Sequence, residues 1–439
     1  MKFYNREHEL ETLQKVRETA FSQHSKLTVL TGRRRIGKTS LVLKSSGNTP
    51  TLYLFVGRNS EADLCDKFAQ TIVQTLHVVI PGKIYSFVSL FEFLMDLGTR
   101  QKFNLIIDEF QEFYNINSAV YSGMQDVWDR FRTGSNINLI VSGSVYTLME
   151  RIFRDEKEPL YGRSDRVLKL RPFTTSVLKQ ILADFKPDYT HEDLLALYTF
   201  TGGIPKYVEL FLDSGSTDME AMVDFMTQSD SPFLDEGKTL LIQEFGKKYG
   251  NYFSILTAIA DGNNTISAME TKFAISLGGH LKRLEEDYEL ISKKRPIFSK
   301  EGTQTLRYEI TDPFLKFWFR YFEKYSSLIE INNFKALAHI IKNDYPTYSG
   351  TSLEYYFRQR MEESQEYRNI GSWWCSKGDP CEIDIVGIYT DNKRALIAEV
   401  KRQHKNFKPE LLHKKEETIR NKVLSAYEIQ SKCWSMEDM

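Results

Sequence analysis

Four residues in "TGRRRIGKTS", Gly32, Gly37, Lys38 and Thr39, have the spacing G-x-x-x-x-G-K-[ST], and the chemistry it serves is the holding of a polyphosphate. The two glycines can take the φ values that aim successive backbone N–H groups into one concavity. Lys38 would reach the β- and γ-phosphates, the Thr39 hydroxyl would coordinate Mg²⁺, and Ser40 would join the nucleotide contacts. Arg33, Arg34 and Arg35 fill the variable positions. They are expected on the exposed rim, where they could meet a lid, a neighbouring subunit or the polyphosphate itself.

Downstream, "FNLIIDEFQEF" brings an apolar run to Asp108 and Glu109. Asp108 would hold the Mg²⁺ shell and Glu109 would act as general base on a water. "NINLIVSGSVYTLM" then delivers Ser142 and Ser144, either as hydroxyls that sense the γ-phosphate or as an ordinary small-residue turn. In "EPLYGRSDRV", Arg163 could neutralise charge on the γ-phosphate, within the chain or across a subunit contact. A surface arginine is the competing reading.

A second chemistry lies near the carboxy-terminus, in "CEIDIVGIYTDNKRALIAEVKRQ". Alternate residues of a strand share a face, so Glu399 and Lys401 point together, and Asp384 on a neighbouring strand can face the same cleft. Glu354, in "GTSLEYYFRQRM", could approach from one edge. Converging carboxylates suit a hard divalent ion such as Mg²⁺, and a lysine beside it suits phosphate chemistry. The bland alternative is an edge strand of solvated charges. Against it, a charge inside a strand as apolar as "EIDIVGI" is costly unless paired. Arg402, Lys405, Lys408, Lys414, Lys415, Arg420 and Lys422 add local positive charge that could hold a phosphate backbone.

These residues need positioning elements. Almost continuously apolar runs at Leu27–Leu30, Thr51–Phe55, Phe103–Ile107 and Asn138–Val141 predict strands covered on both faces, alternating with helices. Residues 176–245 read as helical around "TFTGGIPKYVELF". Residues 246–330 read as short helices followed by two strands around the Glu301-Gly302-Thr303 turn, which predicts a winged helix. Its candidate groove helix carries His280, Lys282 and Arg283, but Glu285, Glu286 and Asp287 follow, and the hairpin carries Lys293, Lys294 and Arg295. DNA contact and a structural role stay open there. Residues 331–439 predict a helix at Ser352–Met361, strands at Ile370–Trp374, Ile383–Ile388 and Ala395–Val400, and a charged helix at Pro409–Leu424.

With 58 Lys and Arg against 59 Asp and Glu, no global field announces a nucleic-acid partner. Cys65, Cys375, Cys381 and Cys433 contain no C-x-x-C pair, so neither structural zinc nor a disulfide framework is expected. No run approaches a membrane span and the amino-terminus resembles no signal peptide. A reduced, cytoplasmic protein is expected.

"FYNREHELETL", "GRRRIGKTS", "LIIDEFQEF", "LIVSGS", "PLYGR" and "TGGIPKYVELF", in that order, resemble the archaeal-type ATPases allied to the AAA+ and STAND groups. The likeness runs from Lys2 to about Val208 and continues into "ITDPFLKFWFRYF". It implies an α/β P-loop NTPase core over residues 1–175 with a helical lid, and ATP with Mg²⁺ as cofactors. It also implies that Phe3, Asn5, Arg6 and Glu7 pack near the adenine, and that Gly203 and Pro205 contact the nucleotide from the lid. From about Gly350 the chain resembles the PD-(D/E)XK nuclease-like, restriction-endonuclease-like domain often joined to such ATPases. Its motif maps onto Glu354, Asp384, Glu399 and Lys401, with Ile383 in place of the usual proline. The resemblance implies an ATP-dependent switch acting on DNA. The alternative is a regulatory or signalling NTPase whose non-cleaving tail docks a protein or DNA, with a protein partner or further copies of the chain as its company.

Overall fold

In a computed structural model, residues 2–245, 249–299, 306–374 and 381–439 are described. The Glu301-Gly302-Thr303 turn and Cys375 lie outside them. The chain divides after Arg171 into two units.

In the first unit, β1 (Lys26–Thr31), β2 (Thr51–Phe55), β3 (Phe103–Asp108), β4 (Ile137–Gly143) and β5 (Arg166–Lys169) form one sheet in the order β2-β3-β4-β1-β5, all neighbours parallel. Every residue of β3 and β4 is buried, which is why their sequences run apolar without alternation. One face packs Leu105, Ile107, Leu139 and Val141 into a core with α3 (Glu61–Leu76), α4 (Phe87–Leu97) and α6 (Ala119–Phe131). Against β1 and β4 lies α1 (Glu7–Ser22), which also touches α2 (Lys38–Ser45). The short α5 (Phe113–Ile116) and α7 (Tyr146–Arg154) complete the unit. Because the strands are parallel, Thr31, Phe55, Asp108 and Gly143 all finish at one edge, where such sheets bind ligands.

The second unit opens with α8 (Thr175–Phe185), α9 (His191–Thr201), α10 (Pro205–Asp213), α11 (Met219–Met226) and α12 (Phe233–Phe245). Thr190 and Asp193 form a reciprocal capping box on α9, and every residue from Asp193 to Thr201 is buried. Gly202 and Gly203 end that helix at φ 55° and 75°. A Cβ on Gly203 would stand 2.6 Å from the Phe173 carbonyl oxygen, so only glycine fits.

Next come α13 (Gly250–Ala260), α14 (Ile266–Phe273) and α15 (Gly278–Lys282), then the antiparallel pair β6 (Ile291–Lys294) and β7 (Arg307–Ile310). After α16 (Pro313–Trp318) and α17 (Ser326–Glu330), a single helix, α18 (Phe334–Ser364), runs through Pro346. It is far longer than the expected Ser352–Met361 segment.

The last sheet contains β8 (Tyr367–Trp373), β9 (Ile383–Tyr389), β10 (Arg394–Val400) and, after α19 (Pro409–Lys422), β11 (Glu428–Trp434), in the order β11-β10-β9-β8. β8, β9 and β10 pair antiparallel, whereas β11 joins β10 in parallel. The cysteine expectation needs one correction: Cys65 and Cys433 are free thiols, but Cys381 is disulfide-bonded. Among the described residues no helix is long and apolar enough to cross a membrane.

Candidate functional site

At the end of β1 the chain turns through Gly32 at φ 145° and Gly37 at φ 89° before α2 begins at Lys38. A Cβ on Gly32 would lie 2.9 Å from the Leu170 carbonyl. The motif therefore stands between a buried strand and a helix, as a cradle requires. Lys38 is buried, and its Nζ donates to the carbonyls of Gly32 at 2.8 Å and Arg33 at 3.0 Å. Thr39 and Ser40 are exposed on the first turn of α2.

Asp108 collects the neighbouring elements. Its Oδ2 accepts from the Thr39 hydroxyl at 3.0 Å and from the Tyr53 hydroxyl at 2.6 Å. Its Oδ1 accepts from the Ser142 hydroxyl at 2.5 Å and from the Glu109 backbone N–H at 3.0 Å. Four donors on one carboxylate bring α2, β2, β4 and the end of β3 together. Tyr53 was not singled out from the sequence. Burial and its bond to Asp108 push its phenol well above the ordinary range.

Glu109 sits at φ 54°, a left-handed conformation that a non-glycine residue adopts at a cost. Its Oε2 accepts from Ser144 at 2.8 Å and from the Gln111 amide at 2.5 Å. The carboxylate is thus turned and held beside Asp108.

The amino-terminal segment folds back onto the same unit. Phe3 lies under the Lys44 ammonium of α2, 4.0 Å from ring centroid to Nζ. Asn5 has φ 48°. The buried Arg6 donates to the Arg171 carbonyl at 2.7 Å and pairs with Glu9 at 3.2 Å. Glu7 is exposed at the start of α1.

The rim expectation for the three arginines fits Arg35, which is exposed. Arg33 and Arg34 are half-buried, and Arg34 Nε is buried with no hydrogen-bond partner.

Arg163 is not brought to the cradle. It grips Asp129 of α6 at 2.8 Å and the Pro159 carbonyl at 2.7 Å. Two residues later Asp165 bonds the backbone of Leu27 in both directions. That is the start of β1, the end of the sheet opposite the cradle.

In the second unit, Gly203 and Pro205 form the turn between α9 and α10. The carboxy-terminal residues converge. Ala398 pairs with Ile385, which sets Asp384 opposite Glu399. Asp384 Oδ2 accepts from the Val400 N–H at 2.8 Å and lies 3.4 Å from Lys401 Nζ. Lys401 Nζ is 2.9 Å from Glu399 Oε2, and Lys415 Nζ of α19 is 2.6 Å from Glu399 Oε1. Burial, followed by the charge of Glu399, raises the Asp384 carboxyl above its ordinary value. Burial works against the Lys401 charge, but the bond to Glu399 and the charge of Asp384 outweigh it and raise that group. Glu354 on α18 bonds none of them. Burial, then the charge of Asp384, pushes it up to about 7. Among the described residues no three His, Cys, Asp or Glu side chains stand close enough to hold a metal ion.

The basic residues around β6 are largely paired. Lys293 pairs with Glu285, Lys294 with Glu309 at 3.9 Å, and Lys282 with Glu286 at 3.7 Å.

Residues 3–211 match a family described as an ATPase domain predominantly from Archaea, and residues 318–418 match a family of archaeal and bacterial proteins of unknown function. An uncharacterized protein of Methanocaldococcus jannaschii is 31% identical over 413 residues, which cover 91% of this chain and 87% of that protein. A Walker-type ATPase of Pyrococcus abyssi superposes with a TM-score of 0.54 at 21% identity, over 72% of this chain and 96% of that one.

Proposed function

The chain belongs to the family of ATPase domains found predominantly in Archaea, and from that premise we propose that it hydrolyses ATP with Mg²⁺ and that its nucleotide state governs nucleic-acid engagement by its carboxy-terminal site. The observation that carries the ATPase half is the convergence of Thr39, Ser142 and the Glu109 N–H on Asp108.

The residues fit the cofactor. Nothing lies within 4 Å of where a Gly37 Cβ would stand, so space is kept beside the donors of the turn. Lys38, Thr39 and Asp108 would hold Mg-ATP, which supplies the scissile anhydride and the charge that makes a water acidic. Phe3, Asn5, Arg6, Gly203 and Pro205 remain proposed nucleotide contacts. Glu109, fixed by Ser144 and Gln111, would take the proton from that water. Arg163 is proposed only as a residue acting across a subunit contact.

For the tail, Asp384, Glu399 and Lys401 meet on one sheet, with Glu354 on the adjoining helix. That arrangement supports Mg²⁺-dependent DNA cleavage by a PD-(D/E)XK-like domain. A second reading is favoured by Lys415, which with Lys401 already neutralises Glu399. In it the tail docks DNA or a protein without cutting. The paired lysines around β6 favour a structural role for the proposed winged helix.

The deciding measurement is phosphate release with and without DNA, alongside plasmid cleavage with Mg²⁺. Hydrolysis by the wild type and its loss in Glu109→Gln are expected, with cleavage lost in Lys401→Ala. Hydrolysis without cleavage or DNA binding selects the docking reading. No hydrolysis under any condition sinks the ATPase assignment.

A further inference from the structure

Arg402 follows Lys401 directly, and its side chain leaves the sheet to reach two helices. Its guanidinium pairs with Glu192 on the first turn of α9 and donates to the Ser349 hydroxyl of α18. It also lies over the Tyr345 ring, 5.5 Å from the centroid. The pair is mostly withdrawn from solvent, with side-chain exposures of 19% and 31%. Glu192 Oε1 is buried with no hydrogen-bond partner, so Arg402 is its principal counter-charge.

The other arm of the site is gripped from α9 and from α8. α18 carries Glu354, and one to three turns further on it presents Gln359 and Glu363. Gln359 accepts from the Tyr198 hydroxyl of α9 at 2.9 Å. Glu363 accepts from the N–H of Thr175, at the start of α8, at 3.0 Å and from its hydroxyl at 2.6 Å. The strand end with Lys401 and the helix with Glu354 are therefore tied to one rod, the all-round buried α9. Its far end, about 16 Å away for eleven residues, is the Gly202-Gly203 turn.

We propose that Glu192 and Arg402 are positioning residues for Lys401, fixing the end of β10 through α9; this rests on the reading of the tail as a phosphate-handling site. An acidic residue in a first helical turn also has a local reason to exist, because it offsets the helix dipole. That role needs no arginine at 402. A positioning pair needs both partners and tolerates their exchange.

Cys433 is a native reporter of this geometry. It is paired with Glu399 in the β10–β11 register, half-buried, and free. Burial raises its thiol, the Lys401 charge lowers it, and the charges of Asp438, Glu399 and Asp384 raise it, so its alkylation rate and pH midpoint change when Lys401 moves relative to those carboxylates. The experiment is peptide-mapped alkylation of Cys433 by N-ethylmaleimide in the full chain, without metal, nucleotide or DNA. Glu192→Gln and Arg402→Ala are each expected to shift the midpoint by roughly 0.3 pH units or the rate by about threefold. The exchanged pair, Glu192→Arg with Arg402→Glu, should return within about half of that shift. Arg402→Lys, which keeps the charge but not the fork, should fall between and serves where Arg402→Ala does not fold. Wild-type rate and midpoint in Glu192→Gln and Arg402→Lys alike overturn the proposal, as does an exchanged pair no nearer wild type than the single variants. Because the readout uses no nucleic acid, a chain that never cleaves DNA can still pass it, and a chain that cleaves can still fail.

Discussion

Tyr53 donates its hydroxyl to Asp108 Oδ2 at 2.6 Å, the oxygen that also accepts from Thr39 at 3.0 Å. Asp108 is thereby held from the strand beside it as well as from the cradle. Should Thr39 turn its hydroxyl towards a metal, Tyr53 and Ser142 would still fix the carboxylate. Tyr53→Phe keeps the ring and removes one bond to a charged group, worth about 1.5 kcal/mol. The Mg²⁺ concentration for half-maximal phosphate release should rise roughly three- to tenfold. Nucleotide affinity without metal should not change. An unchanged Mg²⁺ titration would show that Ser142 and the Glu109 N–H suffice.

Glu109 combines a left-handed backbone with two side-chain donors, Ser144 and Gln111. Such an arrangement fixes a carboxylate where it can accept a proton. Glu109→Gln should lower turnover by about 10²-fold or more while nucleotide binding persists. Ser144→Ala, which frees the carboxylate without deleting it, should cost about tenfold at most. Lys38→Ala should abolish hydrolysis, whereas Arg33→Ala should weaken binding only modestly. Phosphate release and fluorescent-nucleotide titration check both. Equal losses in Lys38→Ala and Arg33→Ala would refute the auxiliary role given to the arginine.

The turn after α9 gives a stability prediction that involves no ligand. Gly203 stands at φ 75° with the Phe173 carbonyl where a side chain would begin. The Phe173 N–H donates to the Gly203 carbonyl at 2.8 Å, so the turn cannot simply move away. Gly203→Ala should destabilise the second unit by about 2–4 kcal/mol. Gly250→Ala, where no atom lies within 4 Å of the added carbon, should be nearly neutral. Thermal melts of the two variants compare them directly, and similar melting points would remove the argument.

What could be read in advance followed from burial. β3 and β4 are covered on both faces, so their apolar runs announced them, and Asp108 and Glu109 stood out at the end of one. β5 and β11 went unread because they are edge strands whose residues are half-exposed and largely polar. The long α18 was read over its carboxy-terminal third only. Pro346 and the polar stretch before it hide a helix that packing sustains. Of the cradle and the residues gathered on Asp108, Lys38, Thr39 and Asp108 itself were legible from motif spacing, whereas Ser142 stood between a hydroxyl that senses phosphate and an ordinary turn. Tyr53 was not, because "TLYLF" reads as strand and nothing local tells which face its hydroxyl meets. Arg163 shows the converse: its loop left phosphate chemistry and a surface arginine both open, and no local pattern displays the pairing with Asp129 of α6 that decides where it sits.

Glu354 offers a test of the tail that needs no substrate. Burial and Asp384 push its carboxyl up to about 7 from an ordinary 4.5, against the opposing charges of Lys294, Arg358 and Lys316. An acid raised on folding binds its proton more tightly in the folded chain, so between those two values the folded state holds more protons than the unfolded one. Its contribution to stability is then full below about pH 4.5, falls as pH rises, and is gone above about pH 7. Glu354→Gln is neutral throughout and escapes that loss. Relative to wild type, the variant should therefore gain stability between pH 5 and pH 8, by about 1–2 kcal/mol once solvent screening of a half-buried group is allowed for. Melting temperatures of both proteins across that range measure it, and the two curves should separate on the alkaline side. Curves that stay parallel from pH 5 to pH 8 would mean that Glu354 ionises as an ordinary surface acid, leaving it no special place beside Asp384.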